Sequence, residues 1–528
     1  VPADGPALKA RPFLVGVLAL VAWLAFSIGL RPLTLPEEGR YVGVAWEMLR
    51  SGDWIVPTQD GLPFFHKPPL FYWITAASMQ LFGPNAAAAR LAPLIGAVLG
   101  ALGLVWFVRH HAGEVLALWT LPVLATLPFF FGGAQFANLD MLVAGFVALT
   151  VVLAADAALA LETGEPHRRS LVGAWACAAL GVLAKGLIGL VLPGLVLVLW
   201  LLITRRPRTI LRLISPLGLL VFAVIAAPWF FAVQARYPTF AHYFFVYQHF
   251  ERFAATGFNN VQPWWFFFAA VPALALPWSL WALRSAWLSS KGLSAAAVGG
   301  PTHPLHPLRV LMWTWLLGIL VFFSIPQSKP VGYSMPVLFP IAFLAADALH
   351  AAWHNGRVAP RRLVQASFAV ALLICLGAAI GSALTYDRDN TKLARVLLKE
   401  RAEGDPVVFV GEYFFDIPLH ARLKSPVPVT SDWRDPKIVL RDNWRRELAE
   451  AAPFTPELAS TLLVDAPRGF ALRCGTKPLW AVVKVDAEGT VAAVPGATRV
   501  AESNRGVLWR IAPASCAASA GAASTAAR

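Results

Sequence analysis

Charged side chains are costly beside long apolar runs, so those that occur there are the first candidates for chemistry. Glu37, Glu38, Arg40 and Tyr41 follow the first apolar run, in Pro36-Glu37-Glu38-Gly39-Arg40-Tyr41. His66 and Lys67 stand in Phe64-Phe65-His66-Lys67-Pro68-Pro69-Leu70, where two prolines stiffen the chain and hold the ammonium at the interface. Asp140 marks the start of another apolar run, in Asn138-Leu139-Asp140-Met141. Lys185 and Gly186 interrupt the stretch from Ser170 to Ile203, which predicts a hairpin of two short helices with the lysine at its tip. Arg252 lies in Phe250-Glu251-Arg252-Phe253, and Lys329 in Ser328-Lys329-Pro330 with Tyr333 close behind it.

Carboxylates in such places act as general bases or fixed negative charges, and cations hold an anion such as a lipid phosphate. Each residue also has a plainer reading. Acids at a helix start complement its dipole, Asn138 can support one as a cap, and lysines snorkel to the interface. The aromatic setting of Arg252 is either packing or a cation–π clamp beside a phosphate. The set says more than its members: two acids and four cations from separate segments are expected on one face of the membrane. An anionic, lipid-borne substrate suits the cations, and acid/base or electrostatic work suits the acids. His242 and His249 lack a clear third ligand, so no metal-binding pattern stands out. There is no P-loop, Rossmann fingerprint or nucleophile elbow.

The elements that must position these groups follow from composition. Of 528 residues, 57% are hydrophobic and only 14% charged, too few charges to cover a soluble surface. Apolar runs of bilayer length begin near Phe13, Ala87, Val115, Leu139, Leu171, Leu187, Leu213, Trp264, Val310, Val331 and Leu363. The expectation is an all-α polytopic membrane bundle of about 11 to 13 transmembrane helices, which excludes a soluble enzyme, a disordered chain and a disulfide scaffold. The formal charge is +14, from 44 basic and 30 acidic residues. Lys9, Arg11, Arg109, Arg168, Arg169, Arg205, Arg206, Arg208, Arg212, Arg284, Lys291, Arg309, Arg357, Arg361 and Arg362 fall on one side if the N-terminus is cytoplasmic. The positive charge thus reads as topology, and no nucleic-acid partner is expected.

Residues 1–385 form the expected membrane domain, with outer loops at 31–70 and 233–263. In the first loop Tyr41, Val44, Ala45, Met48 and Leu49 recur at helical spacing, which predicts an amphipathic helix lying on the outer membrane surface. Residues 386–513 turn mixed and charged, with strand-like Val407–Val410 and Trp480–Val483 and a helix around Trp444–Ala452. A small α/β extracytoplasmic domain is expected there, then a disordered Ala/Ser tail over 514–528. Cys177 and Cys375 lie in apolar runs as packing residues, whereas Cys474 and Cys516 could pair in an oxidising compartment.

On these motifs the chain resembles the membrane glycosyltransferases that use polyprenyl-phosphate sugars. These include the protein O-mannosyltransferases and, more closely, the bacterial 4-amino-4-deoxy-L-arabinose lipid A transferases. Ser51-Gly52-Asp53-Trp54-Ile55-Val56-Pro57, Pro263-Trp264-Trp265 and Phe322-Phe323-Ser324 extend the likeness over most of the first 350 residues. The resemblance implies a GT-C fold in the bacterial inner membrane, with the C-terminal domain periplasmic. It implies a polyprenyl (undecaprenyl) phosphate sugar as donor, and lipid A, another glycan or a protein as acceptor. Glu37 falls where the family has its first-loop catalytic Asp, and Asp140 matches its second functional acid. Lys67, Lys185 and Arg252 match cations around the donor phosphate, with Glu38, Arg40, Tyr41, His66, Lys329 and Tyr333 in support. Glu37 reaches one methylene further than the usual Asp. His66 replaces a Glu that can help hold a metal in the aminoarabinose transferases, so no cofactor is called for and a divalent metal stays open. The rival classes are a flippase or transporter for an anionic lipid-linked sugar and a non-catalytic envelope assembly protein. Transporters commonly carry inverted repeats and mid-membrane sites, and neither is visible here.

Overall fold

The computed structural model describes residues 10–251, 260–290, 305–354, 357–386 and 389–515, without the side chains of 10–13, 249–251 and 287–290. Lys9, Arg252, Lys291, Cys516 and the rest of the expected tail from 516 lie outside the described residues, as do the side chains of Arg11 and Glu251. The chain divides into two compact units, Val1–Arg31 with Phe65–Thr385, and Pro32–Phe64 with Tyr386–Arg528.

In the first unit the apolar runs fold as helices, and length sorts them. Among the described residues six are long and apolar enough to cross a membrane, or up to eight if each bent pair is one span. Hydropathy predicts about 11 to 13 spans, and the remaining apolar runs of the described residues fold as bent pairs or shorter helices. Hydropathy counts apolar residues but does not register where a helix stops or turns. Glu114–Ala125 and Pro128–Ala134 meet at 67°, with the break just ahead of Pro128. Phe266–Leu274 and the helix from Trp278 meet at 119°. Leu14–Ala25, Leu70–Phe82 and Ile188–Ile203 are shorter apolar helices.

Burial shows which helices form the centre. Val331–His354 and Leu139–Thr163 have 89% and 83% of their apolar windows buried, against 22% for Pro216–Arg236 and 28% for Val358–Thr385, whose apolar sides are left for lipid. Leu139–Thr163 packs on Leu91–Ala112 through glycines. A Cβ on Gly145 would come within 2.0 Å of the Gly96 carbonyl oxygen, and one on Gly96 within 2.5 Å of the Leu142 Cα. Without a hydrophobic force between helices in lipid, such close backbone contact is a main source of association. The expected hairpin is present as Arg168–Lys185 and Ile188–Ile203. Gly186 joins them at φ +105°, a conformation that side chains resist. Elsewhere in this unit Arg309 donates from Nε and Nη2 to Asp347 at 2.8 and 2.9 Å, so both buried charges are paired.

The second unit is built on a six-stranded sheet. Its order is Leu463–Val464, Val429–Thr430, Val407–Val410, Leu479–Lys484, Gly506–Ile511, Ala497–Glu502. The first four strands run parallel, and the last two join antiparallel. Both faces of the central strands are apolar because both are covered: Val407 and Phe409 enter one core, Val408 and Val410 the other. The outermost strand, Ala497–Glu502, carries a bulge between Arg499 and Ala501, and Arg499 is ion-paired to Glu488 and Glu502. Trp444–Ala451 is helical, capped by the Asn443 side chain. Ala514, where the tail was expected to begin, still exchanges hydrogen bonds with Arg473 and Gly475.

The segment expected as an outer loop of the membrane domain is divided at Phe64/Phe65, and its first part belongs to this unit. The amphipathic helix is Glu37–Ser51. Within the unit Gly39 packs against Leu35 and Phe415, and Arg50 donates to the Leu423 carbonyl at 2.9 Å. Val42, Val44, Ala45 and Met48 are fully buried. The helix therefore buries its apolar side in protein, which corrects the expectation of a helix lying on lipid.

Glu47 closes the following turn, accepting from Thr58 Oγ1 and from the backbone N–H groups of Asp60 and Gly61 at 2.6–2.8 Å. Asp60 accepts from the Val427 N–H at 2.7 Å. Burial, then the nearby Glu47 carboxylate, push the Asp60 carboxyl well above its usual range.

Two outcomes follow. Gly145→Ala should lower the melting temperature of the purified protein, because its methyl meets backbone that cannot step aside; overpacking of this kind costs about 1–3 kcal/mol. An unchanged melting curve would mean the two helices are not in contact as described. Asp60→Asn should stabilise the protein at neutral pH, since the folded protein holds the Asp60 proton more tightly than the unfolded chain, which releases it above about pH 4. Asparagine also accepts the φ of +54° found here. The gain should shrink as pH falls towards about 4; an equal gain at pH 4 and pH 7 would defeat the argument.

Candidate active site

In the membrane unit the site begins at the N-terminus of Leu139–Thr163. Asn138 Oδ1 accepts from the Asp140 N–H at 3.0 Å, and Asn138 Nδ2 donates to Asp140 Oδ2 at 3.0 Å. The capping role considered for Asn138 is thus present, and it aims the carboxylate as well. Lys185, the last residue of its helix, places Nζ on Asp140 Oδ1 in a close ion pair. Both side chains are largely buried, at 8% and 13% exposure, so the ammonium and the carboxylate compensate charges that neither could carry alone in low dielectric. The Tyr333 ring lies 4.3 Å from Nζ, a cation–π contact on a further side. Gly332 is there because nothing larger fits: a Cβ would stand 2.1 Å from Asp140 Oδ2. Asp140, Lys185 and Tyr333 thus come from three separate elements into one cluster.

The other candidates of this unit sit in settings of their own. His66 is buried, and its Nε2 lies 3.1 Å from the Tyr243 hydroxyl, to which Gln248 donates at 2.9 Å. Tyr237 and Phe240 pack edge-on against Phe65, fixing the strip that leads to His66 and Lys67. Lys67 is half-buried just before Pro68, Pro69 and the Leu70–Phe82 helix. Lys329 is 3% exposed and gives its ammonium protons to the carbonyls of Gln262, at 2.9 Å, and Pro326. Its backbone N–H also bonds to Asn260, so this lysine ties two loops together. Arg252 lies outside the described residues.

A metal at His66 was left open on the sequence. Among the described residues, no third His, Cys, Asp or Glu gathers with a second one there, and the imidazole nitrogen faces Tyr243. The described residues assemble no such ligand group at that place.

Glu37 and its neighbours are in the second unit. Glu37 is 53% exposed and accepts from Arg40 Nη2 at 2.9 Å. Arg40 reaches from Glu37 to the buried Glu447 and lies 5.0 Å from the Tyr41 ring. Burial works to lower the Arg40 pKa, but the Glu447 and Glu37 carboxylates hold it well above the ordinary value. Glu38 is fully buried, and its Oε2 accepts from the Thr34 N–H at 2.8 Å. Sequence reasoning missed Glu447, Tyr243 and Gln248. No local signal marks the first, while the aromatic density of 237–247 was a visible hint for the other two.

The comparisons with known proteins agree with this architecture. Residues 66–231 match the family model described as dolichyl-phosphate-mannose-protein mannosyltransferase. The chain is 32% identical over 331 residues to the undecaprenyl phosphate-alpha-4-amino-4-deoxy-L-arabinose arabinosyl transferase of Aeromonas salmonicida, covering 60% of this chain and 56% of that one. It is 31% identical to the enzyme of the same name from Pseudomonas savastanoi pv. phaseolicola, covering 65% and 62%. The matches thus span less than two thirds of the length of these relatives. Among solved structures, ArnT from Cupriavidus metallidurans bound to undecaprenyl phosphate superposes with a TM-score of 0.79 at 24% identity, over 95% of this chain and 98% of that one. The archaeal oligosaccharyltransferase AglB from Archaeoglobus fulgidus gives 0.54 at 12% identity, over 91% and 70%.

The fold is therefore that of the GT-C membrane glycosyltransferases, a helical membrane bundle followed by a small α/β part. Over the matched residues the chain is similar to the dolichyl-phosphate-mannose and undecaprenyl-phosphate-aminoarabinose enzymes, and it is a multi-pass bacterial inner-membrane protein.

Gly332→Ala and Asp140→Asn should each expose Lys185 by weakening its ion pair. Peptide mass spectrometry after treatment with an amine-reactive reagent should show Lys185 labelled faster in both variants than in wild type. Equal labelling in all three would mean the pair does not protect the lysine.

Proposed function

We propose that the protein transfers a sugar from an undecaprenyl-phosphate carrier to an envelope acceptor, lipid A or another glycan, on the periplasmic face. The observation that carries this reading is the Asp140–Lys185–Tyr333 cluster: its acid and its lysine come from the segment matched by the family model, and its charges are buried in a membrane bundle. Aminoarabinose is the first donor to test, because the relatives described above are named for it. The orientation that fits has the N-terminus cytoplasmic and the C-terminal part periplasmic, as the basic loops indicate.

In the proposed reaction an acceptor oxygen attacks the anomeric carbon of the lipid-linked sugar. The bond from that carbon to the carrier's phosphate oxygen breaks, and the phosphate leaves with the electron pair. Lys185, Lys67 and Arg252 stabilise the charge that grows on the departing phosphate. If the acceptor is a hydroxyl, its proton passes to a carboxylate, Glu37 or Asp140; a phosphate acceptor needs only to be positioned. The carrier already activates the sugar, so no nucleotide site is required. Asp140 holds Lys185 in place until the donor phosphate arrives.

The test supplies undecaprenyl-phosphate-linked radiolabelled sugar and an outer-membrane lipid extract to the protein in vesicles. Covalent transfer of label is expected, falling by about 10²–10³ in Lys185→Ala and Asp140→Asn, the usual cost of removing a charge-stabilising group. Glu37→Gln and Lys67→Ala should abolish transfer while leaving the protein folded. Label that crosses the membrane without being transferred would replace this reading with a flippase, and near-wild-type transfer by a variant would remove the role given to that residue.

A further inference from the structure

A second polar cluster lies far from Asp140 in the same unit. His110 and His111 occupy the last turn of Leu91–Ala112, and Asp156 follows Asp140 by sixteen residues on Leu139–Thr163, about 24 Å along that helix. One ligand atom from each of the three residues lies within 4.8 Å of the others. His111 Nε2 stands 2.8 Å and His110 Nε2 3.9 Å from the same oxygen, Asp156 Oδ1. The Ser170 hydroxyl, at the start of Arg168–Lys185, donates to Asp156 Oδ2 at 2.5 Å and fixes the carboxylate from behind. The Asp156 side chain is only 10% exposed, whereas that of His110 is 57% exposed and leaves a way in from solvent.

We propose that His110, His111 and Asp156 form a binding site for a divalent transition-metal ion of the zinc class. Two imidazoles and one carboxylate are a donor set that zinc uses, with water free to take a fourth position. Ligand atoms around such an ion sit roughly 3.2–3.6 Å apart, so the 2.8 and 3.9 Å separations need only small side-chain adjustments. The proton now between His111 and Asp156 moves to the other ring nitrogen as the ion takes its place. The Ser170 hydroxyl is the outer partner that a ligating carboxylate requires. The negative end of the Leu91–Ala112 helix favours a cation there, and the positive charge of Arg109 is offset by Glu114 at 3.9 Å. The bound ion would brace Leu91–Ala112 against Leu139–Thr163, the helix whose opposite end carries Asp140.

The test uses the full chain in nanodiscs, freed of metal with a chelator and titrated with Zn²⁺ alone against a chromophoric competitor. Wild type should take up one equivalent that His110→Ala and Asp156→Asn bind at least about tenfold more weakly, since even outer-partner losses cost 10–100-fold. His110 is mostly exposed, so His110→Ala tests binding without disturbing the fold. Zn²⁺ should raise the melting temperature of wild type more than that of His110→Ala, and X-ray absorption should show nitrogen and oxygen neighbours with two imidazoles. Equal Zn²⁺ binding by wild type and His110→Ala, or none by wild type, would overturn the proposal. Neither donor nor acceptor enters the assay, so its outcome is independent of the transfer reaction.

Discussion

A lysine and an aspartate largely buried in a membrane bundle are each costly alone and compensate one another as a pair, and the Asp140–Lys185 pair sets that condition for its surroundings. Lys185 must sit at the very end of its helix to reach the carboxylate, and Gly186 lets the chain reverse at once into Ile188–Ile203. The carboxylate must point sideways from a helix start, which Asn138 enforces. Position 332 must have no side chain, and Tyr333 must offer a ring face rather than another charge. In the proposed reaction, an arriving phosphate meets an ammonium that is already paired. Binding is then an exchange of partners, which costs less than desolvating a free cation.

The second unit handles buried charge differently. Arg40 spans from an exposed carboxylate to a buried one, so Glu37 keeps a fixed direction while remaining open to solvent. Glu38 caps the chain beside it, and Glu47 binds three donors of the next turn. A short polar helix is thus held by its own acids as much as by its apolar side.

Much of this was legible in the chain. Apolar runs located the helices, Lys185-Gly186 marked the hairpin, and Val407–Val410 and Trp480–Val483 read as strands because alternate residues are buried on opposite faces. The partners were not legible. Lys185 is 45 residues from Asp140, His66 is 177 from Tyr243, and Arg40 is 407 from Glu447. Periodicity reports which side of an element is apolar, not which distant element will cover it. The amphipathic pattern of 37–51 was read correctly as a helix, but an apolar stripe fits protein as well as it fits lipid. The two bends were hidden for a similar reason, since Pro128 and Pro277 stand at them and composition averages over them.

The outermost strand of the C-terminal sheet has a consequence for life in a crowded envelope. An edge strand is a template on which a neighbouring copy could add a strand, and proteins confined to two dimensions meet their copies often. The irregularity between Arg499 and Ala501 twists that template out of register, and the charges of Arg499, Glu488 and Glu502 line it. That edge is thereby a poor template for strand addition by another copy.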